Sequence, residues 1–159
     1  MKSLPVRRAA PRDLPLLLAL EALCFPEERR ESPASWRRSL GSPHQSVWIA
    51  RAPGAAAAAM TLRHHRGTLP IFSNAVHPEL RGHRLGSALL DRAFATARRL
   101  GVARLSLEAE ASDRRLVDWY AARGFRTVET LPGYYGPGLD AVRMRCCLPS
   151  GTMVKTAPC

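Results

Sequence analysis

The sequence lacks any stretch long and apolar enough to cross a membrane as a helix, which takes about 18 or more apolar residues in a row. The first residues, 1–8, also lack the uninterrupted apolar segment of a secretory signal. We therefore expect a cytoplasmic protein with no membrane partner. At 159 residues the chain has the length of one domain with a single sizeable core, so we expect one active site.

Metal-binding patterns are missing as well. The chain has four cysteines, at Cys24, Cys146, Cys147 and Cys159. They form no C-x-x-C pair and have no histidine at zinc-ligand spacing. The neighbours His64 and His65 would point to opposite faces of an extended chain, and no third ligand lies nearby in sequence. The sequence therefore predicts no metal site.

Lysine is almost absent, since it occurs only at Lys2 and Lys155, and arginine carries most of the net charge of +11. The arginines lie in separate pairs on different predicted elements, and neither a long basic tract nor an aromatic-glycine RNA-binding signature is present. We therefore interpret them as a solvated surface and expect no specific nucleic-acid binding. Such a surface is compatible with an anionic cofactor and with an acidic or ribosomal partner.

The chain does contain an alternation of strand and helix patterns. Strands are predicted at 6–9, 46–50, 55–62, 69–76, 103–108, 125–131 and 141–148, and helices at 14–23, 32–40, 85–100 and 113–123. Ser32 or Ser35 would cap the second helix. The alanines at 55–59 are poor strand formers, but their place after the turn Pro53-Gly54 favours a hairpin strand over a helix. This order predicts an α/β (α+β) fold, with residues 1–149 as a single domain and 150–159 as a disordered tail.

The segment Ala75 to Gly86 carries the strongest functional pattern, because an apolar strand runs there into a basic, glycine-containing turn that opens a helix. Unpaired N–H groups at a helix start, the positive end of the helix dipole and the guanidinium groups of Arg81 and Arg84 would converge, which suits a pyrophosphate. The segment has neither the Lys-Ser/Thr pair of a Walker loop nor the three glycines of a dinucleotide fingerprint. A plain turn with solvated arginines is the alternative.

This segment resembles the acetyl-CoA-binding motif of the GNAT acetyltransferase superfamily, Arg/Gln-x-x-Gly-x-Gly/Ala, with Arg84 where the middle glycine often stands. Downstream, Trp119-Tyr120-Ala-Ala-Arg-Gly124-Phe125 resembles the family's Tyr-x-x-x-Gly-Phe. Tyr134-Tyr135 followed by 140–144 resembles the closing hairpin of protein N-terminal acetyltransferases. Within the superfamily the chain is most similar to bacterial ribosomal-protein alanine N-acetyltransferases, whose Leu-Glu-Val-Arg-x-Ser-Asn segment corresponds to 107–113.

The resemblance, which covers residues 69–144, implies a GNAT-like, mostly antiparallel mixed sheet of about seven strands flanked by about four helices. It implies an enzyme that transfers an acetyl group from acetyl-CoA, used as a cosubstrate without a metal, to a primary amine. The acceptor implied is the N-terminal α-amine of a protein, with a ribosomal protein as one candidate, and transfer would be direct within a ternary complex.

The resemblance also implies which residues act on the reactants. Acetyl transfer from a thioester to an amine needs a base for the amine, a donor to the carbonyl oxygen and an acid for the departing thiolate. Glu108, acting through water, is implied as the base and Tyr120 as the acid near the sulfur. Glu110 would face the same side of the strand, so it is expected to contact the substrate and is, like solvent, an alternative base.

For the cosubstrate, the backbone N–H groups of Ala75 and Val76 are implied as donors to the acetyl carbonyl and the pantetheine. Asp113 stands where the family has an asparagine that contacts the pantetheine arm. The pyrophosphate is implied at Arg81, Gly82, His83, Arg84, Leu85 and Gly86.

In the resembling enzymes, tyrosines at the positions of Tyr134 and Tyr135 bind the backbone at the acceptor N-terminus. Judged without the resemblance, these two residues could equally be loop aromatics that cover the edge of the core.

Two other functions stay open. One is acetylation of a small amine such as a polyamine, an antibiotic or an amino acid. The other is a non-catalytic acyl-CoA-binding protein or a basic nucleic-acid-binding module. We expect a monomer or a weak homodimer.

Overall fold

The computed structural model describes residues 4–149, and these form seven β-strands and four α-helices. In chain order the elements are β1 Val6–Arg8, α1 Leu14–Cys24, α2 Pro33–Gly41, β2 Gln45–Ala52, β3 Ala55–Arg63, β4 Thr68–Val76, α3 Leu85–Leu100, β5 Arg104–Glu110, α4 Arg114–Ala121, β6 Arg126–Leu131 and β7 Ala141–Cys147. Short 3-10 turns occupy Pro11–Asp13, Glu27–Arg29 and Pro78–Leu80. The tail expected at 150–159 lies outside the described residues.

The strands form one sheet in the order β1-β2-β3-β4-β5-β7-β6. Each neighbouring pair is antiparallel except β4 and β5, which pair in parallel over Thr68–Pro70 and Arg104–Ser106. A parallel pair needs a long crossover connection, which α3 supplies, whereas antiparallel neighbours can follow each other through short turns. The mixed, mostly antiparallel α/β fold predicted from the sequence is confirmed.

The described residues, 4–149, divide into two compact units. Within that range, the first unit contains the residues up to His64 together with Ile71–Thr96, and the second contains His65–Pro70 and the residues from Ala97 onward. Strand β4 and helix α3 each contribute residues to both units. The expectation of a single domain over 1–149 stays a prediction.

The core of the first unit forms where α1 and α2 meet the sheet. Leu17 and Leu20 of α1 and Trp36 of α2 pack in one cluster with Val47 and Ile49 of β2. Alanines of β3 belong to the same cluster, and residues 56–62 of that strand are all buried. A strand that pairs on both edges and is covered on both faces can use alanine, because burial and small size outweigh its weak strand propensity.

The second unit is built on β5 and β7. Leu105, Leu107 and Ala109 alternate along β5 as buried residues, and their partners on β7 are buried as well. The intervening β5 residues are half-buried and face the other side of the sheet. Strand β5 extends to Glu110, two residues beyond its predicted end, so Glu108 and Glu110 share that second face.

One helix start and one helix end follow the expected local chemistry. The Ser32 hydroxyl accepts a hydrogen bond from Ser35 N (3.1 Å) at the start of α2, which confirms Ser32 as the cap. Helix α4 ends before Gly124, which has a φ of +92° and leads into β6. A side chain there would be strained, so glycine is required for this turn. Among residues 4–149, no helix has both the length and the apolar character that crossing a membrane requires.

Candidate active site

The predicted pyrophosphate loop lies in the first unit, between β4 and α3. After the 3-10 turn Pro78–Leu80, residues 81–84 are all exposed and Leu85 is buried at the start of α3. The N–H of Ala88 donates to the Arg84 carbonyl (3.0 Å), the first bond of the helical pattern. The first backbone amides of the 16-residue helix α3 therefore come immediately after exposed arginines in the chain. These residues fit a pyrophosphate, since they combine positive charge with backbone donors.

The backbone of this loop explains both a glycine and the departure from the family motif. Gly82 has a φ of +84°, and Arg84 has a φ of +61°. Within residues 4–149, Arg84 is the only residue other than glycine with a positive φ. A left-handed conformation costs a side chain of this kind about 1–2 kcal/mol relative to glycine. The position of the motif's middle glycine therefore has a left-handed backbone in this chain, and Arg84 adopts that conformation with strain.

Val76, at the end of β4, connects the strand to the loop. Its carbonyl accepts from Arg81 Nε and from the Cys24 thiol, each at 3.4 Å. Burial raises the pKa of the Cys24 thiol, and the charge of Arg81 acts in the opposite direction. Ala75 and Val76 lie opposite Ala59 and Ala58 on β3. The structure therefore brings two of the predicted cosubstrate residues, Val76 and Arg81, into contact.

Glu108, the predicted base, lies on the half-buried face of β5 in the second unit. Its Oε1 accepts from Arg143 Nε (3.0 Å), and a second nitrogen of Arg143 donates to Glu129 Oε2 (2.7 Å). The hydrogen bond and charge of Glu108, with the charge of Glu129, raise the pKa of Arg143, so this arginine stays cationic. Glu108 is thus held in an ion pair that the sequence motifs did not indicate.

The residues that follow Glu108 organise the turn into α4. Glu110 Oε1 accepts from the Ser112 hydroxyl (3.1 Å). Asp113 Oδ1 accepts from Leu116 N (3.1 Å) as the N-cap of α4. Capping gives Asp113 a structural role, which an asparagine would fill equally well. Its contact with pantetheine stays a prediction.

Tyr120, the predicted acid, is 5% exposed in α4. Its ring makes edge contacts with Trp119 (4.9 Å between centroids) and Phe125 (5.5 Å). The Tyr120 carbonyl also accepts from Phe125 N (3.2 Å). The tight turn at Gly124 and these two rings fix the phenol in one orientation, which a proton donor requires.

The tyrosine pair lies in the loop between β6 and β7. The Tyr135 hydroxyl donates to the Glu108 carbonyl (3.3 Å), and Tyr135 N donates to Leu139 O (3.0 Å). Tyr134 is 52% exposed, with its ring at 90° to that of Tyr135. The structure therefore brings Tyr135 to the predicted base, while Tyr134 presents an aromatic side chain to solvent.

Sequence reasoning missed Arg143. The signal available was the alternation along β7, in which Val142, Met144 and Cys146 are buried and Arg143 and Arg145 face the other side. The partner of Arg143 could not be read from that alternation. Among residues 4–149, no group of three or more His, Cys, Asp or Glu side chains is arranged to hold a metal ion.

Comparison with known proteins identifies a family. The model described as the acetyltransferase (GNAT) family matches residues 14–125. No curated protein matches the sequence at a significant level.

Solved structures of similar fold have low sequence identity. The ribosomal-protein-S18-alanine N-acetyltransferase from Escherichia coli is 22% identical, with a TM-score of 0.82, and the match covers 97% of this chain and 100% of that chain. The ribosomal-protein-alanine N-acetyltransferase from Brucella melitensis is 24% identical (TM-score 0.76, 91% and 100% covered). The GphF GNAT-like decarboxylase in complex with isobutyryl-CoA is 22% identical (TM-score 0.78, 90% and 98% covered). At these identities the likeness concerns the fold.

Proposed function

The chain belongs to the acetyltransferase (GNAT) family, and from this premise we propose that it transfers an acetyl group from acetyl-CoA to the N-terminal α-amine of a protein. In this reaction the amine nitrogen forms a bond to the thioester carbon, the carbon–sulfur bond breaks, and the amine loses a proton while the CoA sulfur gains one. The acetyl group passes directly from cosubstrate to acceptor in a ternary complex, without a covalent enzyme intermediate.

The proposed cosubstrate site is the loop 81–86 with the end of β4. Exposed Arg81 and Arg84 and the amides at the start of α3 bind the pyrophosphate, because both supply positive potential to a doubly charged group. The bond from Arg81 Nε to the Val76 carbonyl ties this loop to the strand that carries the proposed acetyl-binding amides of Ala75 and Val76. When bound, acetyl-CoA supplies the activated acyl group.

The proposed acid and base belong to the second unit. The Glu108 carboxylate accepts the proton of the acceptor amine through a water molecule, and the Tyr120 hydroxyl donates a proton to the CoA sulfur. Tyr120 suits this task because a phenol carries its proton at neutral pH and the rings of Trp119 and Phe125 hold it in place. Glu110, on the same face as Glu108, is the alternative base.

The contact between Tyr135 and Glu108 carries the proposal of a peptide acceptor. The hydroxyl of Tyr135 on the Glu108 carbonyl places the β6–β7 loop at the strand position that holds the proposed base. Exposed Tyr134 beside it offers an aromatic surface and a hydroxyl to a chain entering the site. A peptide backbone has the donors and acceptors to use such a surface along several residues, whereas a small amine has one reactive group and little else to bind.

The test measures CoA release with acetyl-CoA and a library of short peptides that differ in the first residue. The same peptides with blocked N-termini, together with polyamines and free amino acids, serve as controls. We expect release with a subset of free N-termini and none with blocked ones. Release with small amines alone would make the acceptor a small amine. Tight CoA binding without release for any amine would make the protein a non-catalytic acyl-CoA-binding protein.

The matched variant for the acceptor site is Tyr135→Phe, which removes one hydroxyl and keeps the ring. We expect it to raise the KM for the peptide and to leave the KM for acetyl-CoA unchanged. An equal change in both constants would assign Tyr135 to folding of the site in general.

A further inference from the structure

A row of three charged side chains crosses the second unit from β5 to β6. Glu108 of β5 lies directly opposite Arg143 of β7, and Arg143 lies opposite Glu129 of β6. All three project from one face of the sheet, the face that is half-buried along β5. The order of charges across the row is negative, positive, negative.

Arg143 makes a separate bond to each carboxylate. Its Nε donates to Glu108 Oε1 at 3.0 Å, and its NH1 donates to Glu129 Oε2 at 2.7 Å. The side chains of Glu108, Arg143 and Glu129 are 25%, 31% and 51% exposed. A guanidinium can serve both carboxylates because its donors form a rigid planar fork. The Glu108 end of the row is the more sheltered one, so its electrostatic contact is less weakened by solvent.

We propose that Arg143 is a positioning residue for acetyl transfer, which holds the Glu108 carboxylate in one orientation, while Glu129 holds the other side of the same guanidinium. The proposal rests on the function proposed above, in which Glu108 is the base. It gives a role to a residue of the segment 140–144 to which the resemblance assigned none.

The guanidinium of Arg143 limits how the Glu108 carboxylate can turn. Its Nε lies 3.0 Å from Glu108 Oε1, and a charge-assisted hydrogen bond of this length favours one orientation of the carboxylate. Glu129 binds NH1 of the same planar group, so it fixes the guanidinium from the other side. Removing Arg143 frees the Glu108 carboxylate, whereas removing Glu129 leaves the bond to Glu108 in place and loosens only its support.

Other charged groups face Glu108 less directly. Arg145 lies two residues along β7 on the same face, opposite Ser106 and Arg126. The Tyr135 hydroxyl contacts the backbone carbonyl of Glu108 and not its carboxylate. Arg145 thus provides a matched control, an arginine on the same strand and face whose register position is two residue pairs away from that of Glu108.

A purely structural role would leave a different signature. Ion pairs at this level of exposure contribute little to folding, so a structural Arg143 would change thermal stability slightly and leave kcat unaltered. A positioning role lowers kcat without an equal change in KM, and a conservative replacement restores part of the loss. The decisive measurement is therefore the kinetics of acetyl transfer.

The experiment uses the full chain and the variants Arg143→Gln, Arg143→Lys, Glu129→Gln and Arg145→Gln, each shown to be folded by circular dichroism. The values of kcat and of KM for acetyl-CoA and for the peptide are measured at neutral pH. We expect Arg143→Gln to lower kcat roughly tenfold or more and to leave both KM values nearly unchanged, because both reactants still bind while the base is no longer held in one orientation. We expect Arg143→Lys to restore part of the loss, Glu129→Gln to cause a smaller loss and Arg145→Gln to leave kcat nearly unchanged.

A kcat of folded Arg143→Gln within about twofold of wild type, while chemistry limits the rate, would overturn the proposal. An equal loss of kcat in Arg145→Gln would overturn it too, because the effect would then belong to the charge of this sheet face and not to the bond with Glu108. Absence of acetyl transfer in the wild type would refute the proposed function and this proposal with it, whereas transfer in the wild type with an unaffected Arg143→Gln would refute this proposal alone.

Discussion

Tyr120 combines burial with a proposed chemical role. It is 5% exposed and touches Trp119 and Phe125, so its ring would be suited to the core even without any reaction. Its hydroxyl is the part that a packing role does not need. Replacing the hydroxyl alone separates the two roles.

We expect Tyr120→Phe to reduce kcat roughly a hundredfold or more, because the departing thiolate loses its proton donor. Binding of CoA, measured by calorimetry, should stay as in the wild type. The matched control is Tyr134→Phe, which removes a hydroxyl from an exposed ring. If Tyr120→Phe stays within about twofold of wild type while chemistry limits the rate, Tyr120 is a core residue only.

Glu108 and Glu110 are two carboxylates on one face of β5 with different partners. Glu108 is paired with Arg143, and Glu110 accepts from Ser112. An N-terminal amine has a pKa near 8, so part of it is neutral at neutral pH without any base. Kinetic measurements are therefore needed to show how much a base on the protein adds to the rate.

We expect Glu108→Gln to lower the rate roughly a hundredfold at neutral pH. The rise of kcat/KM with pH that we expect for the wild type should be lost in this variant. Glu110→Gln should have the smaller effect if Glu108 is the base. A larger effect of Glu110→Gln would reverse the assignment. An intact rate and pH profile in both variants would leave positioning of the reactants as the protein's contribution.

The loop between β4 and α3 stores strain at Arg84. Its φ of +61° is the conformation that glycine adopts without cost. We expect Arg84→Gly to raise the free energy of unfolding by roughly 1 kcal/mol, because glycine relieves the strain. The higher entropy of glycine in the unfolded chain reduces this gain. Urea denaturation measures the free energy of unfolding directly. Weaker CoA binding in the same variant would show that the arginine is retained for its charge.

Gly86 lies in the first turn of α3, where the proposed pyrophosphate would meet the helix. We expect Gly86→Glu to abolish CoA binding, because it adds bulk and a negative charge beside an anion. Gly41→Glu is the matched control, since a side chain at Gly41 meets nothing within 4 Å and lies in α2. Unchanged affinity in a folded Gly86→Glu variant would remove the loop from the cosubstrate site.

Local sequence patterns predicted the helices and strands, but they did not predict which side chains contact each other in the fold. Ser32 and Gly124 mark a helix start and a helix end by chemistry that acts within a few residues, and both were predictable. The ion pair of Arg143 with Glu108 joins residues 35 positions apart, and it depends on the register of β5 against β7. No local pattern encodes that register, so Arg143 became visible only in the fold.

Asp13 makes a pH-dependent contribution to the stability of the protein. This side chain is 1% exposed, binds Arg7 through two hydrogen bonds (2.8 and 2.9 Å) and accepts from Ala10 N (2.8 Å). The hydrogen bonds from Arg7 lower the pKa of Asp13 from 3.8 to about 2. Because the folded pKa lies below the unfolded one, the stabilisation is complete above pH 4 and is lost as the pH falls towards 2.

Glu21 acts in the opposite direction. It is 5% exposed in α1 and accepts from Glu31 N (2.6 Å), and burial raises its pKa despite that bond. Since the folded pKa lies above the unfolded one, stability is favoured below the unfolded pKa and is lost as the pH rises through the folded value. The two carboxyl groups therefore give the first unit opposing dependences on pH.

Unfolding in urea between pH 2 and pH 8 separates these two contributions. We expect Asp13→Asn to lose about 2 kcal/mol at neutral pH and to flatten the decline below pH 4, because one pKa unit corresponds to about 1.4 kcal/mol. Glu21→Gln should keep its bond to Glu31 N and gain stability relative to wild type as the pH rises, with no gain at pH 3. The same acid slope in wild type and Asp13→Asn would show that the Arg7 pair does not survive in solution. A loss of stability in Glu21→Gln at neutral pH would show that the charged carboxylate is needed at that site.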